Sequence, residues 1–117
     1  MRAERGAVTV QAMAVAGLLL LVTLVVVQAA GLVQMRHRAA AAADLAALAA
    51  SQASVAGRDG CAAAREVARR NGASLTRCRM DFDVATVAAR ISSPQWWGGR
   101  WAAEQRARAA PETYLAD

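Results

Sequence analysis

The chain has 117 residues, a formal charge of +5 and no lysine among its 14 basic residues. At 56% hydrophobic and 4% aromatic it is too apolar for a disordered tail, and its few aromatic rings are not arranged with arginine as a platform for stacking bases. The arginines are interleaved with nine acids and make no basic stripe along the sequence, so a nucleic-acid partner is not expected. The Arg-only, Ala-dominated usage reads as the codon bias of a GC-rich genome and not as a functional signal.

Residues 1–6, MRAERG, form a short basic leader. Charge then stops for 29 residues, Ala7 to Met35, and returns at Arg36. As a helix that stretch is about 43 Å long, more than the roughly 30 Å of bilayer hydrocarbon. Its polar side chains are Thr9, Gln11, Thr23, Gln28 and Gln34, none costly enough to forbid insertion. Residues 7–35 are therefore read as a transmembrane helix, with Leu18 to Val27 carrying the packing against lipid and neighbouring helices. Basic residues flank both ends, so charge alone does not orient it.

Residues 36–56 continue the helix beyond the membrane. Ala, Leu and Gln favour helix, and no Gly or Pro intervenes before Gly57. Ala41, Leu45, Leu48, Gln52 and Val55 recur at spacings of 3 or 4 and mark a mildly apolar stripe for packing against another helix or sheet. Residues 57–110 form a small α+β domain. Gly57-Arg58-Asp59-Gly60 is a turn, Asp59 caps a second helix from Cys61 to Arg70, and Asn71-Gly72 ends it. The period then drops to two. Thr76, Cys78 and Met80 alternate with Arg77 and Arg79, Asp81-Phe82-Asp83 reverses the chain, and Ala85, Val87, Ala89 and Ile91 alternate in a second strand. Glu104, Arg106 and Arg108 alternate with Gln105, Ala107 and Ala109, which favours a third antiparallel strand over a helix. Residues 111–117 are a frayed tail. The expected fold class is α+β: a long N-terminal transmembrane helix running into a disulfide-closed domain of one short helix and a two- or three-stranded antiparallel sheet.

Cys61 and Cys78 both follow the apolar stretch and suit one disulfide if that side is oxidising. A loop of 17 positions closed this way stabilises a small domain by about 3 kcal/mol. The bond requires the domain outside the cytoplasm and so sets the orientation, N-terminus in and C-terminal domain out. Two cysteines and the distant His37 make no metal site, and no catalytic constellation, cofactor motif or small-molecule site is seen. Trp96, Trp97 and Trp101 hold all the tryptophan within six positions beside Pro94 and Gly98-Gly99. One reading has them cover the small sheet as core; the loop signals beside them favour contact with a partner subunit or the membrane surface.

A leader ending in Gly6 directly before a long apolar helix resembles the signal sequences of type IV pilin-like proteins. The runs RHRAAAAADLAALAAS (Arg36 to Ser51), CAAAREVARRNGASLTRCR (Cys61 to Arg79) and RARAAP (Arg106 to Pro111) resemble actinobacterial TadE-like proteins. The resemblance covers most of the chain and weakens between Ser92 and Arg100. It implies a structural, non-catalytic minor pilin or accessory subunit of a tight-adherence (Flp) pilus or related type II-like secretion system. It implies cleavage between Gly6 and Ala7, and as partners the lipid bilayer, other pilin-like subunits and membrane components of the secretion machinery. The expected location is the cytoplasmic membrane, single-pass, with the pilus or the extracellular space as further destinations. One position departs from the pattern: Gln11 stands where such proteins carry Glu, which keeps a hydrogen-bonding group but not a charge. An uncut, membrane-anchored accessory subunit fits that departure. The rival reading is a soluble secreted factor released by ordinary signal-peptide cleavage after Ala29.

Overall fold

The computed structural model describes residues 2–93 and 101–115. Helix α1 spans Arg2–Val55, helix α2 Gly60–Arg70, and three strands follow: β1 Ser74–Asp81, β2 Val84–Ser92 and β3 Ala102–Ala109. The strands form one antiparallel sheet in the order β1-β2-β3, which settles the third strand. The fold is thus α+β, with a long apolar N-terminal helix, a short helix, a three-stranded sheet and one disulfide. The leader is helical from Arg2 onward, and the expected frayed tail instead contains a short 3-10 turn, Glu112–Leu115.

The chain divides into two compact units, Met1–Val33 and Gln34–Asp117. The first is the apolar part of α1. Its large side chains are exposed, with Leu18 at 62% and Leu20 at 67%. Thr9 and Thr23 turn their hydroxyls inward and donate to the carbonyls of Arg5 and Leu19, four residues back, at 2.9 and 2.8 Å. That hides two polar groups on an otherwise apolar surface.

In the second unit local chemistry sets the helix ends. Helix α1 stops where Gly57 adopts φ +75°, with Gly57 N–H donating to Ser54 O and Arg58 N–H to Ala53 O. Helix α2 repeats the device at Gly72 (φ +71°), with Gly72 N–H on Arg69 O and Ala73 N–H on Ala68 O. Both are Schellman endings, which satisfy carbonyls that a helix terminus leaves open. Asp59 caps the start of α2, its Oδ1 accepting from Ala62 N–H at 3.1 Å. Such a cap contributes about 1 kcal/mol.

The core is built almost wholly of alanine. Ala39, Ala42, Ala43, Ala46, Ala47 and Ala50 of α1 meet Ala64 and Ala68 of α2 and Ala85, Val87, Ala89 and Ile91 of β2. Among the described residues Val87 is the largest side chain that is fully buried. Small residues let the backbones come close: a Cβ on Gly60 would lie 2.8 Å from Ala50 O and 3.0 Å from Met80 Sδ. So little apolar volume makes a marginal core, and the Cys61–Cys78 bond, with Cα atoms 5.8 Å apart, closes it.

Two expectations need correction. The stripe Ala41, Leu45, Leu48, Gln52 and Val55 does not pack on the sheet. It is exposed, and the alanines on the other side of α1 are buried instead. The close approach that an alanine core allows leaves no space for leucine, so the larger residues are turned outward. Thr76 does not share the inward face with Cys78 and Met80 either. A β-bulge between Leu75 and Arg77 puts Leu75 on that face and leaves Thr76 exposed. Thr76 sits where an extra residue is accommodated, and its hydroxyl donates to Ala88 O at 3.2 Å.

Candidate functional site

Gly6, Ala7 and Gln11 all lie within the first three turns of α1 and are exposed. A Cβ on Gly6 would meet nothing within 4 Å, so no packing demands glycine there.

Cys61 and Cys78 are bonded, which joins the start of α2 to the middle of β1. Nearby on α2, Glu66 receives hydrogen bonds from Arg69 at 2.9 Å and Arg70 at 2.9 Å. The Arg69 guanidinium, aided by Arg70, holds the Glu66 carboxyl below its ordinary value. The Glu66 side chain is 43% exposed, so this is local charge pairing on a solvated helix face. Among the described residues no three His, Cys, Asp or Glu side chains are grouped to hold a metal ion.

Trp96 and Trp97 lie outside the described residues. Trp101 is 53% exposed just before β3. Its backbone closes the β2–β3 connection: Ser93 N–H donates to Trp101 O at 2.7 Å, and Trp101 N–H donates to Ser93 Oγ at 3.3 Å. The exposed stripe of α1 has a role as well. Leu48, Gln52 and Val55 line a cleft of about 410 Å³ with Pro111, Glu112 and Thr113.

Two features went unread in the sequence. The first is Phe82, in the two-residue turn between β1 and β2, where Asp81 pairs with Val84. It has φ +57° and is 98% exposed. Helix α1 pins this turn. Ser51 Oγ donates to Asp83 O at 2.8 Å, and Ser54 Oγ donates to Asp83 Oδ1 at 2.7 Å. A bulky residue at positive φ is strained, and such strain persists only where surrounding contacts hold it. A phenylalanine is thereby displayed to solvent.

The second feature is the solvent face of the sheet. Pairing places Arg79 beside Thr86 and Thr86 beside Arg108 in one row. In the next, Arg77 lies beside Ala88 and Ala88 beside Arg106. Arg90 follows on β2, opposite Glu104. Arginines that look scattered along the chain thus share one face. The alternation Glu104, Arg106, Arg108 carried half of that signal; the register with β1 could not be read from it.

Comparison with protein-family models, curated proteins and solved structures gives no match.

Proposed function

We propose that the chain is a membrane-anchored structural subunit, a TadE-like minor pilin or accessory component of a tight-adherence pilus or related secretion system. The observation that carries the proposal is helix α1. It runs without a break from Arg2 to Val55. Its N-terminal half is long and apolar enough to cross a membrane, with mean hydropathy 2.6 and none of that window buried. Its C-terminal half supplies the alanines on which the α+β domain is built. One continuous element that serves as both anchor and domain scaffold suits a protein whose work is to hold a domain at a membrane and insert among other helices.

The disulfide supports an oxidising location for the domain and hence an N-in, C-out orientation. Partner subunits would meet the exposed apolar side chains of the first unit, and Trp101 and Phe82 are contact candidates on the second. A helix near the N-terminus of this character also suits a signal sequence, which keeps the secreted factor as the rival.

Intact mass of the unreduced protein from membrane and culture supernatant of its native host tests the reading. A membrane-bound species beginning at Ala7 is expected, and Gly6→Leu is expected to leave it uncut. A supernatant species beginning near Ala30 would overturn the proposal in favour of the secreted factor. An uncut membrane species would retain the anchored accessory subunit and remove the processed pilin.

A further inference from the structure

We propose that the solvent face of the sheet is a binding face for a linear phosphodiester polymer of polyol- or sugar-phosphate repeats. The face carries Arg77, Arg79, Arg90, Arg106 and Arg108, all exposed. Among the described residues the acids on this face are Asp81, 3.2 Å from Arg79, and Glu104, in register with Arg90. Between Arg77 and Arg106 and between Arg79 and Arg108 the central strand places the small side chains Ala88 and Thr86, and it adds Arg90 further along. The result is a trough of about 170 Å³ lined by Arg77, Arg79, Thr86, Ala88 and Arg106. Ala88 is 1% exposed although it lies on the solvent side. The aliphatic stems of the arginines beside it cover the floor and leave the charged heads at the rims.

The dimensions specify the ligand. Strands lie about 4.8 Å apart, so the arginines of β1 and β3 face each other across about 10 Å, the width of one extended polymer chain and not of a duplex. Successive arginine rows along a strand are about 7 Å apart, so one strand of backbone charges can meet both rows. A phosphodiester carries its charge in the backbone, on two non-bridging oxygens that point to opposite sides of the chain. Both rims can then donate to the same group, one guanidinium to each oxygen. A side-chain carboxylate hangs to one side and reaches one rim. Bases would want aromatic platforms, and none is among the trough's lining residues. Gathering like charges on one small sheet works against folding, which a purely structural face would avoid.

This inference rests on the proposed function only in placing the domain outside the cytoplasm. Binding by purified protein does not depend on that placement, so the two readings fail separately.

The test uses the full chain in nanodiscs of zwitterionic lipid, with a fluorescent glycerol-phosphate oligomer as probe and anisotropy as the readout. Saturable binding is expected, with a log–log salt slope of about −1.4, as two phosphates of a single strand, one at each arginine row, imply. Arg77→Gln with Arg106→Gln should weaken binding by at least about tenfold and roughly halve the slope. Arg58→Gln with Arg65→Gln removes the same charge away from the sheet and should change binding less than about twofold. Equal loss in both variants, or no binding by the unaltered chain, would overturn the proposal. So would equal affinity for poly-glutamate of matched charge, which would make the ligand an acidic peptide. Tighter binding of single-stranded DNA than of the probe would transfer the face to nucleic acid.

Discussion

The two halves of helix α1 are both apolar and have opposite surroundings. Between Val8 and Val27 the large apolar side chains are on the outside, from 49% exposed at Val22 to 71% at Met13. Between Ala39 and Ala53 the buried side chains are all small, and the leucines lie outside. In the second half the burial is intramolecular, and residue size is limited by how closely a sheet and a second helix approach. In the first half no such limit operates, and size follows only the hydrophobic demand of whatever surrounds it. Apolar content alone therefore does not say what a helix faces; the size distribution of its apolar residues does.

The sharpest way to break this contrast is to charge each half in turn. Leu21→Arg with Val25→Arg puts two charges at the centre of the apolar unit, at a cost of about 6 kcal/mol to membrane insertion. Alkaline extraction of membranes should then release most of the protein. Leu45→Arg with Leu48→Arg places the same charges on the exposed stripe and should change stability by less than about 0.5 kcal/mol per site. If the second pair released the protein or unfolded the domain to the same degree, the division of α1 would be wrong.

A milder probe works on size alone. Ala46 is fully buried in the alanine core. Ala46→Leu adds volume where backbones are close and should destabilise the domain by about 2 kcal/mol in denaturant titration under non-reducing conditions. A stability within error of the original would mean that the core holds space which the packing of Gly60 against Ala50 argues against.

What could be read from the sequence divides along the same line. Asp59, Asn71-Gly72 and the alternation in β2 and β3 are local signals, and the elements they announce are present. The pairing of Cys61 with Cys78 followed from putting one at a helix start and the other on an inward strand position. The buried face of α1 was misjudged because hydrophobicity ranks Leu45 and Leu48 above alanine, whereas the fold selects for smallness. Thr76 was misplaced because a bulge has no mark in the run SLTRCRM. The arginine face depends on register among three strands, a non-local property that no single strand contains.

Phe82 offers the finest test, because it reverses the expected sign. Its ring is 98% exposed, so removing it forfeits almost no burial. Its φ of +57° is a conformation that glycine adopts freely and phenylalanine does not. The serine contacts to the turn come from Ser51 and Ser54 and reach Asp83 and the Phe82 carbonyl, none of which Phe82→Gly deletes. Relief of strain, less the extra freedom glycine gains in the unfolded chain, should raise stability by about 0.5 to 1 kcal/mol. Chemical denaturation of the two proteins measures it. A stabilised variant would mean that the chain tolerates strain to display an aromatic ring at the hairpin tip, which is the behaviour of a contact residue. A destabilised variant would show instead that the ring supports the turn, and Phe82 would lose its standing as a contact candidate.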